Sequence, residues 1–236
     1  MSGELTEADL AALTEWDTPT ICNALEIVAP ERRAYGFNRR PLVAPFPEMK
    51  PVVGYARTAG IRAREPYGRG KEEGRAKRLA YYDYIAKGGP RPSLTVIQDL
   101  DGPDIGFGAF WGEVQTHVHQ ALGSIGTVTD GCVRDLDAIA KGFFVLAGSV
   151  MPSHAHVELV DFGGTVSIHG MIVRHNDLIH ADRHGAVVIP HAVAKQVPEA
   201  ARLLARREKV LLDAAKRPGF SVEDIRKALA EADEIH

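Results

Sequence analysis

The sequence predicts an α/β or α+β layer fold. Helical patterns occupy both ends of the chain. Through the middle, short and mostly apolar runs such as Ser93–Gln98 alternate with helical stretches. From His156 to Pro190 the pattern changes to several short β runs divided by tight turns. A chain of 236 residues fits one domain that buries roughly 70–75% of its unfolded surface. The expectation is therefore a single domain over 1–236, with a core from about 10 to 190 and a helical extension from about 191 to 236.

Taken in order, Thr6–Glu15 reads as a short amphipathic helix. Asp17-Thr18-Pro19 is a second helix start, with a capping residue just before a first-turn proline, and its apolar face is Ile21, Ala24 and Leu25. Glu31–Lys50 reads as loop and Val52–Ile61 as a strand. Arg62–Lys77 is a charged run, read as solvated loop rather than as an anion-binding lid, because charge runs usually face water. It leads into a helix at Arg78–Lys87, which Gly88-Gly89-Pro90 ends. After the Ser93–Gln98 strand and a glycine-rich turn comes a helix from about Trp111 to Leu122. Then follow a strand at Thr127–Thr129, a short helix at Asp135–Lys141 and a strand at Phe143–Leu146. The β runs Gly164–Ile168, Met171–Val173 and Gly185–Ile189 precede a C-terminal helix over Val193–Lys216, regular from about Pro198. Ser221-Val-Glu-Asp224 resembles a capping box opening a last helix.

The composition excludes several classes. The net charge of −3 is not the basic excess of a nucleic-acid scaffold. No apolar run approaches the ~20 residues of a membrane span, and Met1–Glu7 is acidic and polar, without a signal-peptide core. Cys22 and Cys132 show no pairing pattern and read as reduced thiols. The expected setting is cytoplasmic, without membrane or nucleic-acid partners.

The chemistry concentrates between Gly106 and Asp135. Gly106, Gly108 and Gly112 form a turn between a strand and a helix, and helix-start N–H groups attract anions. The spacing misses the dinucleotide fingerprint, whose third glycine would replace Trp111. A smaller anion such as a carboxylate can dock on the amides near Glu113, Val114 and Gln115. Further on, Arg134 and Asp135 follow a strand, where α/β folds commonly place ligands. Arg134 offers a fixed fork of donors for a carboxylate or enolate, and Asp135 an oxygen ligand for a hard cation. Twenty residues separate Glu113 from Arg134, enough for one helix, one turn and one strand that returns both to the same sheet edge. Two carboxylates with no soft ligand favour Mg²⁺ or Mn²⁺ over Zn²⁺.

This [Asp/Glu]-x20-Arg-Asp arrangement resembles the motif of the RraA-like proteins. That family includes class II 4-hydroxy-4-methyl-2-oxoglutarate / 4-carboxy-4-hydroxy-2-oxoadipate aldolases and a regulator that inhibits ribonuclease E. Thr18–Leu25 resembles the family's N-terminal helix, Gly54–Thr58 its first strand, and Asn176–Pro190 its late Gly-Asp…Ala-Asp…Gly-Val…Pro segment. The resemblance covers roughly Leu10–Pro190. It implies a swivelling β/β/α-type domain, a homotrimer or homohexamer, and sites near subunit interfaces. It implies that Asp135 binds Mg²⁺ or Mn²⁺ partly through water, with Glu113 supporting those waters. It further implies that Arg134 and the amides of Val114 and Gln115, beside Gly112, bind the carboxylate and enolate oxygens of a small 2-oxo acid. The implied reaction is retro-aldol cleavage of a 4-hydroxy-2-oxo acid to pyruvate, with accompanying oxaloacetate decarboxylation. One departure is Glu113, where the best-studied aldolases carry aspartate.

Two rivals stand beside this reading. Among ten histidines, His154-Ala-His156 could share a strand face, and His117, His180 and His184 are further candidates for a His-ligated Zn or Fe site. The other rival is a non-enzymatic ribonuclease regulator. In the family that role is associated with an acidic residue three positions after the motif's aspartate, and here that position is Ala138, with Asp137 one place early. Asp99 and Asp101 read as turn caps, Asp182–Gly185 as a turn with a structural glycine. Cys132 lacks an evident base, and Lys141 lacks a pocket.

Overall fold

A computed structural model describes residues 5–66 and 68–236. The first helix, α1 (Glu7–Thr14), is closed by a capping box in which Thr6 and Asp9 exchange side-chain to backbone bonds of 3.2 and 2.8 Å. The next, α2 (Thr18–Val28), is capped by Asp17, whose carboxylate accepts the Thr20 N–H at 2.9 Å, and it buries Ile21, Ala24 and Leu25. Residues 29–51 are irregular apart from one 3-10 turn and isolated bridges. Then come β1 (Val52–Arg62), α3 (Lys71–Lys87), β2 (Ser93–Asp99), α4 (Glu113–Ala121), β3 (Ser124–Thr129) and β4 (Cys132–Val133). These are followed by β5 (Phe144–Leu146), β6 (Ser149–Val150), β7 (Glu158–Phe162), β8 (Val166–Ile168) and β9 (Met171–Val173). The hairpin β10 (Leu178–Asp182) and β11 (Gly185–Ile189) leads to α5 (Val197–Ala215) and α6 (Val222–Asp233).

Two elements depart from the sequence expectation. The helix expected from Arg78 begins at Lys71. Its first two turns are largely exposed, and only Tyr81 and Ile85 are buried, so no apolar period marks its early half. The helix expected over Asp135–Lys141 is a single 3-10 turn at Leu136–Ala138. Asp135 takes a left-handed conformation (φ 53°, ψ 42°) and Ile139 is extended, so neither end can propagate a right-handed helix.

The main sheet has the order β11-β10-β1-β2-β3-β5, with β1, β2, β3 and β5 parallel. On its other edge β1 pairs antiparallel with β10 over Val52–Tyr55, then with β7 over Ala59–Arg62, with a register shift at Gly60/Ile61. Two strands thus share one edge, and the sheet curls where they part. The result is a mixed α/β single domain with a curled sheet and flanking helices. On one side α1, α2 and α5 bury Leu13, Ile21, Ala24 and Val197 against β10 and β11. A separate cluster, built on Ile97, Tyr81, Trp111 and Phe143, underlies the start of α4. No helix among the described residues is long and apolar enough to cross a membrane.

The histidine-rich hairpin is a tether between β10 and α2. Asp182 accepts the Thr18 N–H at 2.9 Å and the His184 N–H at 2.8 Å. His180 Nε2 lies 3.0 Å from the Trp16 carbonyl, which can only accept, so Nδ1 takes the Thr18 hydroxyl proton at 3.0 Å. Gly185, at φ +145°, turns the hairpin; a Cβ there would sit 2.5 Å from Asn38 Oδ1. Burial holds His180 neutral, down to about 4 from the usual 6.5, and does the same to His119 in α4. The unfolded chain protonates both rings near 6.5, so it binds more protons than the fold between pH 6.5 and 4. Stability should therefore fall with pH across that window, by on the order of 1 kcal/mol per pH unit for each ring. Urea unfolding at pH 7, 6 and 5 measures this net of the opposite contribution of the buried Asp130 carboxyl, pushed up to about 6; equal midpoints at all three would show that the two rings are not both held neutral.

Candidate active site

Helix α4 starts at a glycine and so has no side-chain cap of its own. Asp135 supplies one from another segment: its Oδ2 accepts the Glu113 N–H at 3.3 Å. Two contacts bring it there. The Arg134 N–H donates to the Trp111 carbonyl at 2.9 Å, and Trp111 bridges Val133 in parallel. The left-handed Asp135 backbone then turns its side chain toward the helix start. Gly112 leaves the room, since a Cβ on it would lie 2.6 Å from Asp135 Oδ2. Arg134 Nε stands 3.5 Å from the same oxygen, and both side chains stay about a third exposed, at 35% and 37%.

These groups open on a cavity of about 260 Å³. Gly112, Val114, Gln115, Arg134 and Asp135 line one wall. Arg78 of α3, His154 and Glu158 of β7 also line it, as do Tyr81 and Phe110. The first-turn N–H groups of α4 lie at that wall, where a helix start favours an anion. The structure thus brings together the main chain at Glu113 and the side chains of Arg134 and Asp135. It does not bring the Glu113 side chain in: that side chain is exposed and is not among the groups lining the cavity. Among the described residues, no group of three or more His, Cys, Asp or Glu stands ready to hold a metal ion.

The other candidates separate. His154 and His156 lie on no strand; Ala155 between them has φ 44°, so the shared-face expectation for this pair fails. His154 lines the cavity, with Nδ1 2.7 Å from the Ala155 carbonyl, while the His156 N–H bonds to Ala63. His117 Nδ1 turns back to the Glu113 carbonyl at 2.8 Å on the exposed side of α4. Asp99 accepts the Gly106 and Asp101 N–H groups at 2.8 and 3.0 Å, and Asp101 accepts those of Ala63 and Arg64, so both cap turns. Asp130 accepts the Asp99 N–H at 2.8 Å, and burial pushes its carboxyl up to about 6. Burial pushes the Cys132 thiol up to about 11, which leaves it a poor nucleophile. Lys141 is exposed and outside the cavity lining. Arg78 and Glu158 were not legible as site residues. Arg78 was read only as the exposed first residue of a helix, and nothing local marks Glu158.

A profile of the RraA-like family (Aldolase/RraA) matches residues 18–188, and the chain belongs to that family. The uncharacterized protein MJ0644 of Methanocaldococcus jannaschii is 30% identical over 119 residues, which is 50% of this chain and 57% of that protein. The chain spans less than two thirds of the length of the curated relatives it matches. The crystal structure of an uncharacterized protein from Pseudomonas syringae pv. tomato superposes with a TM-score of 0.71, at 23% identity over 96% of each chain. Streptomyces coelicolor RraAS2, described as an unusual member of the RNase ES inhibitor RraA protein family, gives 0.69 at 19% identity, over 91% of this chain and 98% of that one. At these identities the structural likeness concerns the fold.

Gly112 tests the geometry directly. Gly112→Ala should displace the Asp135 carboxylate and abolish oxalate binding in the cavity, read by calorimetry in the presence of Mg²⁺. The melting temperature should stay within a few degrees of the wild type, because the φ of −172° at this position suits any residue. Undiminished oxalate binding would place the ligand site elsewhere.

Proposed function

We propose that this protein is a divalent-metal-dependent lyase that cleaves a 4-hydroxy-2-oxo acid by a retro-aldol reaction, releases pyruvate, and also decarboxylates oxaloacetate. The observation that carries the reading is the convergence of the Arg134 guanidinium, the Asp135 carboxylate and the start of α4 on one wall of a single cavity. The family's inclusion of aldolases supports it.

A hard cation fits this donor set. Mg²⁺ usually keeps several waters and binds through one or two carboxylates plus substrate oxygens, without a dedicated protein cage. Asp135 would hold Mg²⁺ or Mn²⁺, and the Glu113 side chain, outside the cavity lining, would reach such an ion only through water. When bound, the ion supplies Lewis-acid stabilisation of negative charge. The chain's own groups do the rest. Arg134 offers parallel N–H donors to the carboxylate and keto oxygens, and it stabilises the charge that grows on the keto oxygen as the C–C bond breaks. The N–H groups of Val114 and Gln115 bind the substrate carboxylate at the positive end of α4. Gly112 leaves the room that the Asp135 carboxylate occupies beside those amides. The same charge develops whether an aldol fragment or CO₂ departs, so one site serves both reactions. The departing end of the substrate faces Arg78 and His154, and a negative charge there is favoured by Arg78.

A pyruvate-release assay over 4-hydroxy-2-oxo acids and oxaloacetate tests the proposal. Turnover should vanish with EDTA and return with Mg²⁺ or Mn²⁺. Full activity after exhaustive chelation, or no pyruvate from any substrate in a protein that captures a ribonuclease, would contradict it.

Two substitutions assign the roles. Arg134→Lys keeps the charge but loses the planar fork, and kcat should fall roughly 10²–10³-fold on both reactions, the usual loss for one such donor. The Mg²⁺ activation constant should change little. Asp135→Asn should be far more damaging than Asp137→Asn, which alters a charge outside the cavity lining; equal effects would mean that the metal site lies elsewhere.

A further inference from the structure

Beneath the cavity, α3 and α4 meet through polar groups set in apolar surroundings. His119 Nδ1 lies 2.7 Å from the Gln115 carbonyl, and a carbonyl only accepts. The ring proton therefore sits on Nδ1, and Nε2 is left as an acceptor. The Tyr81 hydroxyl, 2.8 Å from Nε2, must then be the donor. Both side chains are buried, and Trp111, Phe110 and Tyr82 pack their rings around His119. Burial keeps the ring neutral, so this chain of hydrogen bonds carries no charge.

The next residue on α3 engages the same glutamine. The Tyr82 hydroxyl donates to Gln115 Oε1 at 3.1 Å. Gln115 is thus held at both its oxygens, the main-chain one by the Tyr81–His119 pair and the side-chain one by Tyr82. A glutamine amide has one accepting and one donating half. With Oε1 engaged, the donating Nε2 is the half left over, and Gln115 lines the cavity on the wall that holds Arg134. An amide turned the other way could still donate its Nε2–H to the same hydroxyl, so Tyr82 together with an anion in the cavity selects the orientation the structure shows.

We infer that the side-chain amide of Gln115 is an oxyanion donor in this cavity, and that Tyr82 is the positioning residue that aims it while Tyr81 and His119 fix the backbone beneath. The inference rests on the reading of the cavity as a 2-oxo-acid site. It adds a neutral donor beside Arg134 and the helix-start amides, one that ranks ligands by where they carry oxygen rather than by net charge. It also gives a reason for the two adjacent tyrosines on α3. Phenylalanines there would fill similar volume with no polar group to satisfy.

The test is a double-mutant cycle on oxalate binding, measured by calorimetry in the presence of Mg²⁺ and paired with steady-state kinetics. Gln115→Leu should weaken oxalate about tenfold or more, the loss of one donor to a charged acceptor. Tyr82→Phe should weaken it several-fold, raising KM more than it lowers kcat. The double variant should be no worse than Gln115→Leu alone, because Tyr82 acts through Gln115. Tyr82 is only half-buried, so its phenylalanine variant should melt near the wild type; a merely structural role would show as a lower melting temperature with unchanged affinity. Wild-type oxalate affinity in Gln115→Leu, or strictly additive losses, would overturn the inference and leave the lyase reading standing. A wild-type protein that neither binds oxalate nor releases pyruvate would overturn both.

Discussion

A helix that begins with glycine leaves its first N–H groups without a local partner, and in α4 the carboxylate of Asp135 meets that need from another segment. Much of the cavity's architecture depends on this contact. It holds the loop after β4 against the start of α4, and it places Arg134 beside the helix amides. It also explains the left-handed backbone at Asp135, which an aspartate tolerates better than most residues, and the bare glycine at position 112. The hydrophobic base is supplied separately. Trp111, Phe143 and Ile97 are all but fully buried beneath the helix start, so the polar groups above them rest on a packed floor.

The same carboxylate has two claims on it. As a cap it neutralises the positive end of α4. In the proposed role of cation ligand it would be drawn away from the helix start. Its carboxylate lies 3.3 Å from the Glu113 N–H and is 37% exposed, so it is open to solvent while it caps the helix. An anionic substrate arriving at the amides would replace part of the negative charge that the helix start loses when Asp135 turns toward a cation. Cation and substrate anion would then favour one another's binding by ordinary electrostatics.

Local chemistry made part of this legible in the sequence. The caps at Asp17 and Ser221 were readable because a cap is decided by residues three apart, whereas Thr6, read as the first residue of its helix, is that helix's cap. The meeting of residues 113 and 134–135 was readable because a glycine turn and a fixed spacing bracket one helix and one strand. Other features were decided by distant contacts. The backbone of Asp135 answers to the start of α4, so a local pattern suggested a helix where one 3-10 turn stands. The early half of α3 carries no apolar stripe because it buries almost nothing. The pairing of His154 with His156 assumed a strand, and the positive φ of Ala155 removes it. Arg78, Tyr81 and Glu158 reach the cavity from segments whose sequence gives no sign of it.

In the proposed reaction a hard cation and a 2-oxo acid meet at the start of α4 on the Asp135 carboxylate. Anomalous diffraction from crystals soaked with Mn²⁺ and oxalate tests this most directly. One strong manganese peak is expected within coordination distance of Asp135, with oxalate between it, Arg134 and the first turn of α4. A peak centred on histidines such as His154 or His117, with oxalate absent from the α4 wall, would contradict it.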